Sequence, residues 1–288
     1  MAAWPYHAGE LEAQRRAGGG NRGGAIRDQM PLQHRAFFEQ LPFVVVASLD
    51  RGGPIATLWT GEAGFVRSPD PHSLRIAVAR DPADPASPAF TAGAPFGLLG
   101  IELATRRRNR ANGVIETAGP GELAVAVRQS FGNCPQYIHP RELRRASAGA
   151  AAVEPLAHLD REAVAAIAAA DTLFVATSAA LDEATGGVDV SHRGGPPGFV
   201  RVDGDVLTIP DYAGNRYYNT LGNLVADPRA ALLFVDFTTG DLLQLQGTTE
   251  IQWSGPEVDA LEGAERLWRL HVQRGWRRRA AVALRSMG

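Results

Sequence analysis

Residues 191–202 read SHRGGPPGFVRV, and residues 61–67 read GEAGFVR. Both stretches contain the pattern Gly-x-x-Gly-Phe-Val-Arg, which ends at Arg67 in one copy and at Arg201 in the other. Around each copy, a helical pattern, two apolar runs joined by a glycine turn and further short apolar runs follow in the same order. An ordered match of this kind is typical of a duplicated structural unit. The sequence therefore predicts an internal repeat.

The elements of each repeat indicate the fold class. An amphipathic helical pattern from Met30 to Leu41 precedes the apolar run Phe43–Asp50, and a helix over Arg161–Ala169 precedes the run Thr172–Ser178. Many short β-rich runs, separated by Gly, Pro and Asp turns, are typical of a barrel or sandwich. We therefore expect a mainly β protein, a β-barrel with short helices that occurs twice in tandem.

The length and local composition predict the domain boundaries. A chain of 288 residues fits two compact domains. We expect a flexible, glycine-rich N-terminal arm over residues 1–29, a first barrel unit over 30–145, an alanine-rich linker over 146–159 and a second unit over 160–288. The arm contains G-x-G-x-x-G, but no strand precedes it, which favours a flexible arm over a dinucleotide-binding loop.

The composition excludes several functions. All 29 basic residues are arginine, so neither lysine Schiff-base chemistry nor a Walker-type phosphate loop is possible. The single cysteine, Cys134, excludes an intrachain disulfide, and as a lone cysteine it is either a small buried hydrophobic residue or a nucleophile. The seven histidines lack metal-binding spacing, so no metal is expected. The net charge of −2 and the absence of long apolar runs predict a cytoplasmic protein with neither nucleic-acid nor membrane partners.

Three arginines of the second repeat are candidates for anion binding. Arg193 lies on a predicted loop, Arg201 on a strand and Arg216 near the start of a helix. Arginines placed in this way can converge on one dianionic group, with help from the helix dipole and free amides. Solvated surface arginines are the alternative interpretation. The residues alone leave both interpretations open.

The second repeat also resembles a known family. In order, it contains a helix, then FVATSA, DVSHRGGPPGFVRV, LTIPDYAGNRYYNTLGNLVADPRAALLF and a strand that ends in Gln-Gly. This order resembles the pyridoxamine 5'-phosphate oxidase-like family of FMN-binding split β-barrel proteins, over about residues 160–255. The first repeat resembles the N-terminal half of two-unit members. The resemblance implies tandem FMN-binding split barrels, bound FMN and a homodimer with the flavin at the seam between barrels.

The resemblance also implies roles for individual residues. Arg201 matches a basic strand position that contacts the flavin phosphate, and Asn215 with Arg216 matches a Ser-Arg pair that binds the same phosphate. Asp211 falls where a threonine near the flavin ring is usual, and Arg193 is expected beside that ring. The full set of predicted cofactor-binding residues is Ser191, His192, Arg193, Arg201, Asp211, Asn215, Arg216 and Gln244.

Departures from the family pattern limit the implied substrate. Tyr217 stands where the oxidase has a lysine, and Leu242 stands where a glutamine faces the flavin, although Gln244 or Gln246 is a candidate substitute. The C-terminal substrate-phosphate motif is missing. The resemblance thus implies an FMN-dependent oxidoreductase that acts on a small molecule other than pyridoxamine phosphate, with NADH or NADPH as a candidate electron donor and its catalytic residues unassigned.

Non-enzymatic binding of a flavin, a haem or a deazaflavin is the alternative function. A haem-binding protein needs an axial ligand, which His192 or His271 would have to supply. This class of function differs from the first because the chain would carry its cofactor without catalysing a reaction.

The two repeats differ at the position of the phosphate-binding turn. Where the second has Gly-Asn-Arg at residues 214–216, the first has the proline- and alanine-rich segment 80–86. Prolines cannot donate backbone hydrogen bonds to a phosphate. We therefore expect one FMN per chain, held mainly by the second unit. The dense charge at Arg106–Arg110 is either a solvated turn or, as we expect, lies near the seam beside an anion.

Overall fold

The computed structural model describes residues 5–149 and 152–287. The remaining positions, which fall in the predicted arm, linker and second unit, lie outside the described residues. The first unit contains strands β1 (Phe43–Asp50), β2 (Gly53–Thr60), β3 (Val66–Arg67), β4 (Ser73–Ala77), β5 (Pro95–Glu102), β6 (Arg107–Ala118) and β7 (Glu122–Gly132). Two short strands, β8 (Leu143–Arg145) and β9 (Val153–Leu156), follow.

The second unit repeats this series. Its strands are β10 (Thr172–Ala179), β11 (Gly187–Gly194), β12 (Arg201–Asp203), β13 (Val206–Tyr212), β14 (Arg229–Asp236), β15 (Asp241–Gln252), β16 (Ala264–Arg278) and the short β17 (Leu284–Ser286). The helices are α1 (Ala8–Arg16), α2 (Leu32–Gln40), α3 (Arg161–Ala169), α4 (Asn219–Ala226) and α5 (Pro256–Asp259). A single 3-10 turn covers Ser87–Ala89.

The sheet topology confirms the predicted fold class. The first sheet has the order β2-β1-β5-β6-β7-β4-β3, and the second has the order β11-β10-β14-β15-β16-β13-β12. Each strand of the first unit thus has a counterpart in the same place of the second, and the pairing is antiparallel throughout both paths. The protein is a tandem of two split β-barrels with short helices.

The strand register allows a residue-by-residue comparison of the units. Strand β6 carries a bulge between Asn112 and Gly113, and β15 carries one between Gln246 and Gly247. At either glycine, a Cβ atom would lie within about 2 Å of a carbonyl oxygen on the neighbouring strand, so only glycine fits. The two bulges place Arg110 of the first unit at the position of Gln244 in the second.

The two barrels pack against each other through apolar strand faces. On β1, Val44 and Val46 belong to the interior of the first barrel. Val45 lies on the opposite face and packs in a shared cluster with Phe174 and Val190 of the second unit. Both faces of this strand are therefore buried, which explains its continuous apolar sequence. The chain itself supplies the contact between two barrels.

The N-terminal segment differs from the flexible arm that the sequence predicts. Residues 8–16 form α1, whose first turn is closed by a reciprocal capping box between His7 and Glu10. The helix lies directly on α4, where Gly9 and Gly222 allow the two backbones to approach. The prediction was wrong here because the capping interactions and the close packing on α4 together offset the ordering entropy.

Two further elements were not expected. Strand β9 lies in the predicted linker and pairs with β16 through Trp276 and its neighbours. Strand β16 occupies a region for which the sequence predicted no element. Among the described residues, no helix is long and apolar enough to cross a membrane, and no cluster of three or more metal-binding side chains occurs.

Candidate functional site

Two adjoining cavities lie where β6 of the first unit faces β11 and the segment after β13 in the second. We call this region the arginine seam. The residues that define it are Arg108, Arg110, His192, Arg193, Asp211, Asn215 and Arg216. It brings the predicted arginine cluster of one unit onto the predicted cofactor-binding residues of the other.

Arg110 is the most deeply buried cation of the arginine seam, with 6% of the residue exposed. Its guanidinium donates to the Ser191 hydroxyl at 2.7 Å and lies 3.4 Å from the Asp189 carboxylate. The guanidinium also lies over the Phe131 ring, 5.2 Å from its centroid. Burial lowers the pKa of Arg110, and the nearby Asp189 opposes that shift. Arg110 therefore joins the two units across the seam.

Arg108 lies two residues away and has a different environment. Its Nε donates to the Cys134 carbonyl at 2.8 Å, and its Nη1 donates to Nδ1 of His192 at 3.0 Å. Within the part of the chain that the structure describes, it forms no ion pair with a carboxylate. Burial, followed by the charges of Arg110 and Arg193, lowers the pKa of Arg108 to about 9. A cation in such surroundings is stabilised by any anion that binds beside it.

His192 is a buried, neutral donor. Because its Nδ1 accepts from Arg108, the ring proton lies on Nε2. Burial and the Arg108 charge hold the pKa of His192 well below its ordinary value. The Nε2 atom is buried and has no hydrogen-bond partner. This N–H group is therefore free to donate to a ligand.

Unpartnered donors are concentrated in the arginine seam. The buried atoms without a hydrogen-bond partner in this region are Arg110 Nε, Asn133 Nδ2, His192 Nε2, Arg193 Nε and Tyr218 OH. Each buried group of this kind costs about 1–3 kcal/mol unless an acceptor reaches it. Their placement around two adjoining cavities fits a ligand that is anionic and rich in acceptor oxygens and nitrogens.

One carboxylate of the seam is already committed. Asp211 accepts from Arg266 at 3.0 Å and lies 3.3 Å from Arg193. Burial raises the pKa of Asp211, and the two arginines oppose the shift. After this pairing, Arg108 still has no anionic partner among the described residues. The net charge of the seam thus favours an anion.

The turn between β13 and α4 has a left-handed backbone at two positions. Arg216 has φ of 60° and Tyr218 has φ of 62°, both uncommon for residues with side chains. The Asn215 side-chain oxygen accepts from the backbone N–H of Tyr217 and stabilises the turn. The turn leads into the first residues of α4, whose free N–H groups can bind a phosphate.

The N-terminal segment covers this turn. The Asn21 backbone N–H donates to the Arg216 carbonyl at 3.0 Å, and the Arg216 guanidinium donates to the Gly19 carbonyl at 3.2 Å. Glu10 accepts from the Asn219 side chain. Each cavity measures about 70 Å³, so entry of a ligand larger than a phosphate requires this cover to move.

The structure brings together six of the eight predicted residues. Ser191, His192, Arg193, Asp211, Asn215 and Arg216 all lie along the arginine seam. Arg201 lies on β12, exposed and outside the lining of both cavities. Gln244 is buried at a different place, described next. The sequence predicted that Arg106–Arg110 lies near the seam, but it did not identify Arg108 and Arg110 individually as site residues. The only sequence feature that marks these two residues is the high density of charge around them.

Gln244 lies on the other side of the barrel contact, in the region that corresponds to the arginine seam when the two units are exchanged. We call this region the aspartate seam; it is defined by Thr57, Asp81, Asp84, Gln244, Gln246 and Arg278. Asp84 accepts from Thr57 at 2.5 Å, from Arg278 at 2.7 Å and from Gln244 at 3.2 Å. A carboxylate of the chain thus occupies the centre of this seam and accepts from three of its side chains.

The fold is a duplicated split barrel, and a cationic seam lies between its halves. Residues 159–285 match the family described as pyridoxamine 5'-phosphate oxidase. The second unit of the chain thus matches the family that the sequence predicted for it. No curated protein matches the chain.

Several solved structures resemble parts of the chain. HupZ from Group A Streptococcus is 18% identical, covering 45% of this chain and 98% of its own, with a TM-score of 0.34. A FAD-binding protein from Mesorhizobium loti is 13% identical over 44% of this chain and 97% of its own, at a TM-score of 0.29. A FAD- and heme-binding protein from Mycobacterium smegmatis is 14% identical over 38% of this chain and 72% of its own, at a TM-score of 0.26.

Proposed function

We propose that the chain binds FMN in the arginine seam and is an oxidoreductase that acts on a small organic molecule. The observation that supports this most strongly is the cluster of buried donors without partners beside Arg108, a cation without a carboxylate. FMN carries a phosphate, hydroxyls and ring acceptors that match these donors. When bound, it supplies hydride or electron transfer, with NADH or NADPH as the candidate electron donor.

The chain would hold the two ends of the cofactor differently. Asn215, Arg216 and the first turn of α4 offer amides and a cation to the phosphate. Arg108, His192 and Arg193 offer N–H donors at the other cavity, where a positive field favours negative charge on the ligand. The N-terminal segment, which covers the turn, would exclude water once the ligand is in place.

Pyridoxamine phosphate is not the expected substrate. Tyr217, which replaces the lysine of the oxidase, is buried in an aromatic cluster with Tyr6 and Phe131 and offers no cation. A second dianionic group would lack paired cations there and would carry an uncompensated desolvation cost. We expect negligible turnover of pyridoxamine phosphate by the FMN-loaded protein in an oxygen-consumption assay. Ordinary turnover would contradict this expectation and would identify pyridoxamine phosphate as a substrate.

A non-enzymatic carrier of a flavin, haem or deazaflavin is the alternative proposal. The free Nε2 of His192 is the feature that a haem could use, but Nε2 is protonated while Nδ1 accepts from Arg108. Coordination would therefore require the loss of that hydrogen bond. FMN remains the better match to the donor set.

A visible spectrum of the protein after incubation with each cofactor separates these functions. The proposal predicts flavin absorption that remains after desalting, together with its loss on addition of NADH, NADPH or a chemical reductant. A Soret band with haem and no retained flavin would contradict it. Sedimentation of the loaded protein tests the homodimer, which stays a prediction because the chain already supplies two barrels.

A further inference from the structure

A large cavity lies away from both seams. It has a volume of about 700 Å³ and is formed by α3 together with the hairpin of β14 and β15. The residues that decide its character are Ala163, Ala166, Ala170, Phe234, Phe237 and Leu242. The helix side is made of small side chains, and the floor is apolar and largely buried.

The first unit provides an internal comparison for this cavity. Helices α2 and α3 each contain nine residues and end three residues before the next strand, Gln40 before Phe43 and Ala169 before Thr172. Counting back from those strands aligns Phe37 of α2 with Ala166 of α3.

In the first unit, the place of the cavity is filled. Phe37 is only 1% exposed, and Arg107 lies over its ring at 4.9 Å from the centroid. Leu41 of the first unit corresponds to the smaller Ala170 of the second. The lost volume is partly regained, because Phe234 stands where the first unit has Gly100, a glycine in close contact with Leu41. The lining includes Phe234 and Phe237 of the hairpin, but α3 contributes no aromatic side chain to it at the position of Phe37. The space that the Phe37 ring fills in the first unit is therefore part of the cavity in the second.

The charged groups around the cavity are paired with other groups of the protein. Arg141 is held by Asp171, and Arg279 is held by Glu162 at 2.6 Å. Asp236 accepts from the backbone N–H of Thr238 at 2.7 Å. A charged ligand would have to displace these partners, so the lining favours a neutral one.

One polar group of the lining points to a ligand. Thr172 is only 4% exposed, lines the cavity, and its hydroxyl has no hydrogen-bond partner. The counterpart of Thr172 in the first unit is Phe43, which has no polar atom to satisfy. A buried hydroxyl without a partner is uncommon in a folded protein and costs free energy until a donor or acceptor reaches it.

We propose that this cavity is a binding site for a neutral aromatic molecule. Its ring takes the place that Phe37 fills in the first unit, and its polar substituent forms a hydrogen bond with the Thr172 hydroxyl. The site is separate from the arginine seam, so its occupancy does not depend on whether the chain binds FMN.

The first experiment measures binding of 4-fluorophenol to the full chain by fluorine NMR titration. The wild-type protein should bind this small probe with a Kd on the order of 1 mM. Ala166→Phe should restore the packing of the first unit and weaken binding at least tenfold. The matched control is Ala168→Phe on the same helix, since residue 168 is exposed and outside the cavity lining, and it should leave the Kd unchanged.

A second experiment holds even if Ala166→Phe fails to fold. Thr172→Val removes the hydroxyl and keeps a similar shape, so it should remove the preference for 4-fluorophenol over fluorobenzene. Amide shifts on addition of the probe should map to α3 and the β14–β15 hairpin. The proposal is overturned if the wild-type protein does not bind the probe, if Thr172→Val keeps the preference, or if the shifts map to the arginine seam.

Discussion

The arginine seam and the aspartate seam occupy equivalent places in a duplicated fold, but their buried cations and donors are paired differently. Arg110 of one seam stands where the other has Gln244, and both reach across the barrel contact to β11 or β2. In the aspartate seam, the Asp84 carboxylate accepts three side-chain hydrogen bonds at its centre. In the arginine seam, Asp189 accepts from Arg110, but Arg108 has no carboxylate partner among the described residues, and several buried donors have no acceptor there.

Two neighbouring substitutions extend this contrast. The register of β2 and β11 aligns Leu58 with His192 and Trp59 with Arg193. Trp59 packs 4.7 Å from the Phe90 ring in the first barrel and offers no cation to the cavity of about 530 Å³ that it lines beside Asp84 and Arg278. The duplication therefore leaves one seam whose buried arginine, Arg278, is paired with carboxylates and one in which Arg108 is open to an anion from outside.

The largest expected effect concerns the Asp84 carboxylate. Asp84→Ala leaves Arg278, which is itself buried, without its main partner. Loss of one member of a buried ion pair typically costs about 3–5 kcal/mol. We expect a drop of this size in the free energy of unfolding, measured by urea denaturation. Asp81→Ala is the control, because Asp81 is more exposed and should cost about 1 kcal/mol or less. Equal effects of the two changes would contradict the role of Asp84.

The next prediction exchanges the residues that distinguish the seams. Arg110→Gln gives the arginine seam the residue of the aspartate seam and removes a buried charge together with the unpartnered Nε–H donor of Arg110, for which one charge-assisted contact to a ligand is worth about 1.5–3 kcal/mol. FMN affinity, measured by quenching of flavin fluorescence, should fall about 10- to 100-fold. The reverse change, Gln244→Arg, should not create a second site, since Asp84 would pair with the new cation. Unchanged affinity in Arg110→Gln would remove that residue from the site.

The cover over the arginine seam should respond to pH. Burial, followed by the Asp189 charge, raises the pKa of Glu10 to about 8, while the His7 N–H, the Asn219 side chain and Arg110 oppose the shift. A carboxyl with a raised pKa in the docked state stabilises docking fully at low pH, and that stabilisation is lost as the pH rises towards 8. The Glu10 carboxyl thus favours a docked α1 in acid.

Tryptic cleavage after Arg15 and Arg16 measures this docking. We expect the cleavage rate of the wild-type chain, relative to that of Glu10→Gln, to rise about 10- to 100-fold between about pH 6 and pH 8. The ratio removes the pH dependence of the protease itself. A constant ratio would show that Glu10 does not titrate in this range.

The smallest effect is expected at the exposed turn. Arg216 is solvent-exposed and already donates to the Gly19 carbonyl, so Arg216→Ala should weaken FMN binding by about tenfold, the value of one charge-assisted contact. Arg201→Ala is the informative control, because Arg201 lies outside both cavities. A larger effect for Arg201→Ala than for Arg216→Ala would show that the phosphate lies nearer β12 than the structure indicates.

The sequence predicted those elements whose signal is local. The periodicity placed α3 at Arg161–Ala169 and β1 at Phe43–Asp50, and the structure has the same bounds. Strand β16 was missed because its arginines form ion pairs and cation–π contacts with distant residues, such as Arg277 with Glu154 and Arg266 with Tyr218. When arginine charges are neutralised only by tertiary contacts, the local sequence does not indicate that the segment is a buried strand.

The same reasoning applies to the candidate site. Residues on β11 and in the turn before α4 were predicted because one repeat carries them in a recognisable order. Arg108, Arg110 and Asn133 come from the other repeat, so their role depends on how the barrels pack. The role of Asp84 could not be predicted either, because an isolated Asp-Pro segment resembles an ordinary loop until Arg278 and Gln244 are placed beside it.

The most direct measurement is the amount of flavin per chain. The protein is saturated with FMN and desalted, and the flavin released on denaturation is compared with the chain concentration, for the wild type and for Arg110→Gln. Because Arg108 of the arginine seam has no carboxylate partner among the described residues, whereas Arg278 of the aspartate seam is paired with Asp81 and Asp84, we predict one FMN per wild-type chain and a large loss in the variant. Two FMN per chain, or full retention in Arg110→Gln, would contradict this account of the two seams.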